Sequence, residues 1–491
     1  MRDRILEKAG VLTQMQSIVC DVDALWRRFD CDRTAKQRGY DVLHISDEMQ
    51  LRQYYEYQVA ASDDMPRILV IDNPELYVPF DIRRRFFVLK LSYETVFPGL
   101  SAVALRKVPN IDWDLLAFWE SHTFHEALNE VETTDYCTGK IYSGACAEEY
   151  AGTLLEASSA NAKTASGHRE WFSIAQAFGK ASALHAMGIP IANWDEQRHR
   201  IETEFAKWIA EKYSLASGTV DREQPVLLSH VADFVRRKAS KVALIVMDGM
   251  SFSDFFTIQR ALSRAPLTFD VAGTLSFFPT VTAVARQSIF SGKTPREHEK
   301  PFSLEREEKQ WLEYWRNYGL KDSQVFFQKG LVNDVPVTAT VCGIVINIVD
   351  DLMHAELQGL SGMQQGLTAW VKTGKLQAML QMLVDRGYSV FMTSDHGNTS
   401  AIAQGRYANA GVVAEPASRR AILYDSSFDA RELDKFTHFR YAGTYLPEGY
   451  TAYLFEDGTC YGEKGKEYIT HGGMTIEEAV VPFVRIGEWH G

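Results

Sequence analysis

Short apolar runs separated by polar turns make up the first part of the chain, residues 1–110. Runs of this length that are rich in Val, Ile and Leu predict buried strands, and the stretches between them have room for helices. We therefore expect a small α/β domain in this part. The four runs are SIVCDVD, YDVLHISD, PRILVIDNP and RFFVLKLS.

The hydrophobic pattern changes to a helical period in residues 111–235. Apolar residues recur there every three or four positions, as they do along one face of an α-helix. We therefore predict a helical region between two parts that contain strands. Its amphipathic segments begin at WDLLAF, AEEYAG, REWFSI and DEQRHR.

Strand and helix patterns alternate in the last part, residues 241–491. This alternation is typical of an α/β domain whose mostly parallel sheet is covered by helices on both faces. Ligands of such sheets bind at the carboxyl ends of the strands. The segment 367–387 is predicted as a helix, and LEREEKQ as a solvated helix face. The predicted strands are VALIVMD, GIVINIVD, YSVFMTSDHG and YLFE.

Three of these predicted strands end on acidic residues. The first ends at Asp248, the second at Asp350 and Asp351, and the third at Asp395, which is followed by His396. A single aspartate after a strand is more often a helix cap or a turn residue. Several carboxylates at one edge of a sheet would repel one another unless cations were present. The set as a whole therefore predicts a site for divalent metal ions.

Two further histidines fit the same site. His354 follows Asp350 by four residues, a spacing that puts both side chains on one face of a helical turn, with their Cβ atoms about 6 Å apart. His471 is followed by Gly472 and Gly473, which predict a tight loop before another strand. Both histidines are therefore candidate metal ligands.

A candidate nucleophile lies between the first and second acids. The segment FFPTVTAVARQSIFSG predicts a turn and then a helix that ends near Gly292. A hydroxyl at a helix N-terminus faces backbone N–H groups and the positive end of the helix dipole. That position suits a helix cap, and it equally suits a nucleophile and the phosphoryl oxygens that it attacks. On these local grounds Thr280 and Thr282 are both candidates.

Residues from about 240 to 491 resemble the alkaline phosphatase superfamily, and within it the nucleotide pyrophosphatase/phosphodiesterase branch. The resemblance is carried by LIVMDGM, FPTVTAVARQSIFSGKTPREH, VDDLMH, TSDHG and THGGMTIEEAVVPFV. In that branch the nucleophile is a threonine in a P-x-x-T turn, ten residues before a glycine and upstream of a G-x-x-P-x-x-H pattern. Gly292 and His298 match these positions, so the resemblance favours Thr282 over Thr280. No residue is assigned to the asparagine with which that branch helps to hold phosphate.

The same resemblance implies two divalent metal ions. The family spacing D-x-x-x-H favours Asp350 over Asp351 as a ligand. Histidine and carboxylate ligands suit zinc, with manganese as the alternative. The implied ligand sets are Asp248, Thr282, Asp395 and His396 for one ion, and Asp350, His354 and His471 for the other.

Within the superfamily, the segments MDGMS, the threonine turn and HGGMTIEEAVVP resemble the PglZ family of BREX-type phage-defence systems. This resemblance implies a zinc-dependent phosphodiesterase or phosphatase that acts on a phosphodiester or nucleotide-like substrate. It also implies other phage-defence proteins as partners.

Three other functions are compatible with the sequence. The first is a scaffold that docks other defence proteins, with or without catalysis, and the second is a nuclease. The third is a phosphomutase of the metal-dependent phosphoglycerate mutase type. That branch inserts a large lid domain after its first metal aspartate, and the separation between Asp248 and Asp350 is too short for such a domain.

The net charge argues against a general electrostatic attraction to nucleic acid. The chain has 64 acidic and 52 basic side chains and a net charge of −12, whereas proteins that bind DNA depend on basic side chains for much of their affinity. DNA is therefore a possible substrate, but the net charge does not indicate it. A local basic channel is nevertheless a candidate, lined by Arg286, Lys293, Arg296, Arg406, Arg419 and Arg420.

The location of the protein is predicted from its apolar runs and its cysteines. The apolar runs are shorter than the ~18 residues needed to cross a bilayer, and the N-terminus lacks the apolar segment of a secretory signal. The six cysteines form no C-x-x-C pair, so neither a disulfide framework nor a thiolate zinc site is indicated. We therefore expect a cytoplasmic protein with reduced thiols and no membrane contact.

Overall fold

The structure is a computed structural model of the chain. It describes residues 2–488 except for 60–64, 74, 109–110, 123–125, 263–264, 266, 304, 356–358, 408–417, 426–432 and 434–435. The chain forms two compact units, which divide between Ala147 and Glu148.

The first unit contains the predicted small α/β domain. Its strands are β1 Gln16–Asp21, β2 Asp41–Ile45, β3 Arg67–Ile71 and β4 Phe87–Leu91. They form one sheet in the order β2-β3-β1-β4 in which every neighbouring pair is parallel. Ile18 of β1 is opposite Leu69 and Val88, and it belongs to the apolar core of this unit.

Helices connect and flank these strands, as the polar stretches between the apolar runs predict. The longest of them, with ten residues, begins at Trp113. The helices are α1 Arg2–Lys8, α2 Leu25–Arg28, α3 Cys31–Gln37, α4 Glu48–Tyr54, α5 Phe80–Arg83, α6 Tyr93–Val96, α7 Ala102–Lys107, α8 Trp113–His122 and α9 Glu130–Thr138.

The regular elements described between residues 111 and 235 are all helical, as predicted. The division between the compact units falls within this region, so α8 and α9 belong to the first unit, α10 spans the division, and the following helices belong to the second unit. None of the helices in the described ranges is long and apolar enough to cross a membrane. The remaining helices of this region are α10 Gly144–Ala162, α11 His168–Ala186, α12 Trp194–Lys212 and α13 Val231–Lys238.

The second unit is built on a six-stranded sheet in the order β6-β16-β9-β5-β8-β7. Strands β9, β5, β8 and β7 are parallel, and β16 is antiparallel to both of its neighbours. This confirms the predicted mostly parallel α/β sheet. The six strands are β5 Val242–Met247, β6 Leu267–Leu275, β7 Val325–Lys329, β8 Val341–Ile346, β9 Ser389–Thr393 and β16 Val480–Glu488.

Helices pack around this sheet and provide the positions for several site residues. The predicted helix 367–387 is in fact divided between two helices, because Gly374 has a left-handed φ of 79° and interrupts the turn. The helices are α14 Phe252–Ala261, α15 Thr282–Ser291, α16 Glu307–Asn317, α17 Ile348–Ala355, α18 Gly359–Val371, α19 Lys375–Asp385 and α20 Ile476–Ala479.

In the part of the chain that the structure describes, two small sheets lie outside the central one in this unit. The predicted strand YLFE belongs to the first of them, in which β13 pairs antiparallel with β11 and β12, so its assignment to the parallel sheet was wrong. Its Tyr453 and Phe455 pack in a separate cluster of mostly aromatic side chains instead. The second small sheet joins β10 to β14 and β15. Their strands are β10 Thr399–Ala403, β11 Ala421–Asp425, β12 His438–Tyr441, β13 Tyr450–Phe455, β14 Thr459–Cys460 and β15 Glu467–Thr470.

Candidate metal centre and nucleophile

Asp248 follows directly after the fully buried strand β5, at its carboxyl end, and is itself 3% exposed. The next residue, Gly249, has a φ of 75°, which is the left-handed conformation that glycine adopts most easily. The sequence predicts that Gly249 lets the backbone turn away at this point, and the structure confirms that turn.

Asp395 and His396 follow the neighbouring strand β9, and both are fully buried. The ends of β5 and β9 are joined by hydrogen bonds. The Ser394 hydroxyl donates to the Met247 carbonyl over 2.7 Å, and the Gly249 N–H donates to Asp395 Oδ1 over 3.2 Å. These bonds bring the two acidic strand ends to one place at the carboxyl edge of the sheet.

Asp248, Asp395 and His396 each offer a ligand atom, and these atoms lie within 4.8 Å of one another. Thr282, the first residue of α15, faces the same group. Its Oγ1 lies 3.3 Å from Asp248 Oδ1 and 3.0 Å from His396 Nε2. The structure therefore brings together all four residues of the first ligand set.

Thr280 has different surroundings from Thr282. Its hydroxyl donates to the Gly473 carbonyl over 2.8 Å and accepts from the Gly472 N–H over 3.2 Å. Both bonds hold the glycine loop after His471 against the threonine turn. Thr282 is thus the threonine whose hydroxyl faces the carboxylates, and Thr280 supports the loop.

Asp350 and His354 lie on helix α17, and their side chains meet with a distance of 3.3 Å between Oδ2 and Nε2. This is the one-face arrangement that the four-residue spacing predicts. Strand β8 ends at Ile346, however, so the prediction that this strand ends on Asp350 and Asp351 was wrong. Both acids lie in the first turn of the helix that follows.

His471, assigned to the second ligand set, contacts a residue of the first. Its ring stacks on the His396 ring, with centroids 4.1 Å apart and planes 14° apart. The second set is the more open one, since the side chains of Asp350 and His354 are 21% and 37% exposed.

Each buried histidine is oriented by a backbone carbonyl. His471 Nδ1 lies 2.9 Å from the Thr280 carbonyl and His396 Nδ1 lies 3.0 Å from the Gly397 carbonyl. A carbonyl can only accept, so each Nδ1 carries the proton and each Nε2 presents a lone pair. Metal-ligating histidines are commonly held in this way.

Burial favours the neutral form of each of these groups. It raises the pKa of Asp395 well above its usual value, with a further increase from the nearby Asp248 carboxylate. Burial and the Asp248 carboxylate also raise the pKa of Asp350, to about 6. The pKa values of His396 and His471 are lowered by burial, which favours neutral rings.

These observations fit a divalent cation. Asp395 Oδ2 is buried and has no hydrogen-bond partner among the residues that the structure describes, a state that is costly unless a cation offsets it. Carboxylate oxygens and neutral imidazole nitrogens are suitable ligands for zinc and for manganese. The residues present therefore match a metal site in both charge and donor type.

Two of the arginines proposed for a substrate channel are buried and paired, so they do not line one. Arg286 is 3% exposed and pairs with Asp248 and Glu307. Arg420 is 1% exposed and pairs with Glu478. A buried guanidinium needs such partners to offset its lost hydration. The others, Lys293, Arg296, Arg406 and Arg419, are exposed or partly exposed.

Glu307 is a residue of this site that the sequence pattern did not identify. The segment LEREEKQ was predicted as a solvated helix face, but Glu307 is only 1% exposed. Its burial depends on Arg286, which is distant in the sequence.

His298, which matches the family pattern, bonds to Ser291 at the opposite end of α15 from Thr282.

The sheet is mostly parallel and has carboxylates and histidines at its carboxyl edge, with a threonine at a helix N-terminus beside them. This arrangement defines an alkaline-phosphatase-like domain. Residues 226–486, just over half of the chain, match the BREX system PglZ alkaline phosphatase-like domain. The chain belongs to the PglZ family.

Solved structures with some likeness to this chain include three hydrolases. Murine ectonucleotide pyrophosphatase/phosphodiesterase 5 is 13% identical, with a TM-score of 0.33 over 50% of this chain and 87% of its own. Phosphonoacetate hydrolase from Sinorhizobium meliloti 1021 is 13% identical, with a TM-score of 0.31 over 50% of this chain and 89% of its own. Human ectonucleotide pyrophosphatase/phosphodiesterase 5 is 12% identical, with a TM-score of 0.30 over 50% of this chain and 87% of its own. No curated protein matches the chain.

Helix α12 precedes the matched region but supports the loops that carry both buried histidines. Its Glu202 carboxylate accepts from the Ile476 N–H over 2.9 Å, and its Arg198 pairs with Glu477 at 3.1 Å. The neighbouring Glu478 carbonyl accepts from the Gly397 N–H, next to His396. The short helix α20 thus connects α12 to the candidate metal site.

We expect Arg198→Gln to lower the free energy of unfolding by about 3 kcal/mol, because it leaves the largely buried carboxylates of Glu477 and Asp457 without their cation. Arg200→Gln, two residues along the same helix, is the matched control. Its partner Glu196 is exposed, so the expected change is below about 0.5 kcal/mol. Urea unfolding measures both, and equal effects in the two variants would contradict the assigned support.

Proposed function

We propose that this chain is a metal-dependent hydrolase of phosphoric esters, a phosphodiesterase or phosphatase that uses Thr282 as its nucleophile. The observation that carries the proposal is the position of the Thr282 hydroxyl. It lies at the N-terminus of α15, within 3.3 Å of both Asp248 and His396. A nucleophile of this kind needs to lie beside the ligand atoms, with a positive region for the phosphoryl oxygens.

The proposed metal ions are held by the two ligand sets described above. Asp248, Thr282, Asp395 and His396 would hold one ion, and Asp350, His354 and His471 would hold the other. Zinc is the proposed metal and manganese the alternative. When bound, such ions stabilise charge on phosphoryl oxygens and favour the deprotonated form of a coordinated hydroxyl.

The protein groups then have the following roles in an in-line displacement. Thr282 loses its hydroxyl proton to solvent, and its Oγ1 forms a bond to phosphorus while the bond from phosphorus to the leaving-group oxygen breaks. The leaving-group oxygen takes up a proton from solvent. The N-terminus of α15 offers its positive dipole end to the phosphoryl oxygens. Water then attacks the phosphothreonine, which regenerates the Thr282 hydroxyl and releases the phosphate product.

The natural substrate is proposed to be a phosphodiester or nucleotide-like compound in a BREX-like phage-defence system in the cytoplasm. The partners would be other proteins of that system. DNA is a less favoured substrate because the chain carries a net charge of −12.

A docking role alongside catalysis is a second candidate. The first compact unit presents large apolar side chains at its surface, including Met49 at 70%, Tyr57 at 75% and Phe80 at 70% exposure. Side chains of this kind mark a binding surface for proteins where they form one contiguous patch. This role would make the first unit a binding surface for other defence proteins.

The proposed activity can be tested with purified full-length protein on bis(p-nitrophenyl) phosphate and p-nitrophenyl phosphate. We expect release of nitrophenol, its loss after treatment with a chelator, and its recovery when zinc or manganese is returned. Comparison of the two esters distinguishes a phosphodiesterase from a phosphatase. Absence of hydrolysis of both esters under every metal condition, with zinc nevertheless bound, would favour the docking role.

A further inference from the structure

Arg286 is a buried cation inside the first ligand set. It lies on α15 one turn after Thr282. Its Nη1 donates to Asp248 Oδ2, and the same nitrogen is 3.9 Å from Asp395 Oδ2. With 3% of its surface exposed, it is not placed to meet a substrate.

Glu307 holds this guanidinium in position. Arg286 Nε donates to Glu307 Oε1 over 2.5 Å, and the other Glu307 oxygen lies 2.7 Å from the Lys329 ammonium at the end of β7. Charges therefore alternate from Lys329 through Glu307 and Arg286 to Asp248. Because guanidinium is planar and its donors have fixed directions, an anchor on Nε also sets the direction of Nη1.

The two carboxylate oxygens of Asp248 therefore have different partners. Oδ2 accepts from Arg286, whereas Oδ1 lies 3.3 Å from the Thr282 hydroxyl and 3.9 Å from His396 Nε2. A free carboxylate would rotate and offer either oxygen, or both, to a metal ion. In this arrangement one oxygen is directed to the nucleophile and the other is occupied.

We propose that Arg286, anchored by Glu307, is a positioning residue that fixes Asp248 as a single-oxygen ligand of the first metal ion. This inference rests on the metal site of the proposed function and adds two residues to it. The rival explanation is that Arg286 only offsets the charge of buried acids in the fold. Loss of charge and loss of position must therefore be separated experimentally.

Two variants of the full-length protein keep the net charge and change the position. Arg286→Lys keeps a cation but loses the planar fork. The double variant Arg286→Gln with Glu307→Gln removes one positive and one negative charge together. The matched control is Arg316→Gln with Asp322→Asn, an exposed ion pair at the end of α16.

Zinc alone is the probe, and competition with a chromogenic chelator measures its affinity. We expect both Arg286 variants to bind the first zinc ion about 10- to 100-fold more weakly, as is usual when a group that orients a ligand is lost. The control pair should bind zinc like the unmodified protein. Visible absorption of the cobalt-substituted variants should also weaken, because an Asp248 that binds through two oxygens raises the coordination number.

Each outcome decides between the explanations. Unmodified protein that binds no zinc contradicts the proposed metal site itself. If the unmodified protein binds zinc and both folded Arg286 variants bind it equally well or more tightly, the positioning role is overturned. Failure of both variants to fold, while the control pair folds, assigns Arg286 to the fold and also overturns it. Circular dichroism of the metal-free proteins reports folding independently.

Discussion

Replacing Thr282 with alanine is expected to lower the rate of phosphoester hydrolysis by at least about 10³-fold, because loss of a nucleophile removes the covalent route altogether. The site around it should persist, since Gly249, Asp395 and His396 are joined by hydrogen bonds and Asp248 is held by Arg286, and none of these bonds involves the threonine side chain. Single-turnover assays with radiolabelled substrate should show a phosphorylated chain in the unmodified protein and none in Thr282→Ala.

Thr282→Ser is the matched control for this prediction, since it keeps a hydroxyl at the same atom position. It should keep measurable hydrolysis and form the phosphorylated intermediate. Thr280→Ser keeps the hydroxyl that bonds to Gly473 and should also remain active. Robust hydrolysis by Thr282→Ala would contradict the assignment of Thr282 as the nucleophile. It would not contradict the proposed metal sites.

Replacing Gly397 with alanine is expected to lower the free energy of unfolding by at least about 3 kcal/mol, and to abolish hydrolysis with it. A Cβ atom at this position would lie 1.9 Å from the backbone oxygen of Glu477, and a backbone atom cannot move aside as a flexible side chain can. Because Gly397 follows His396 directly, any relief of the clash must move a proposed metal ligand. Urea unfolding and zinc titration measure the two effects.

Gly405→Ala is the matched control, eight residues further along the chain. The nearest atom to a Cβ there belongs to the Phe436 ring at 3.6 Å, which is an ordinary contact. The expected change in stability is within about 0.5 kcal/mol. If Gly397→Ala were as stable and as active as this control, the close packing of the α20 segment on the His396 loop would be contradicted.

Gly397 also shows where reasoning from residue type goes wrong. A glycine after a site residue predicts an unusual backbone turn, and at Gly249 the left-handed φ confirms this. Gly397 is absent from the positive-φ residues of the described chain. It is needed because another segment packs against it, and that segment lies about 80 positions away in the sequence.

The strands that carry the site could be predicted because their signals are local. An apolar run such as Val242–Met247 needs burial on both faces, which a parallel sheet provides. The acids after β5 and β9 then meet at one edge, whatever the rest of the fold does. A strand of mixed polarity such as β6 has no comparable signal, since four of its nine residues are only partly buried and one is exposed.

The amino-acid sequence by itself determined the mostly parallel α/β fold, the order of the candidate ligands and the threonine turn between them. Only the tertiary structure decided what holds those ligands in place. Arg286 and Glu307 are 21 positions apart, and Arg198 and Glu477 are 279 apart. Periodicity reports on neighbours within a few residues, whereas a buried charge is stabilised by whichever partner the fold brings to it. Supporting partners of this kind therefore appear only when the chain is folded.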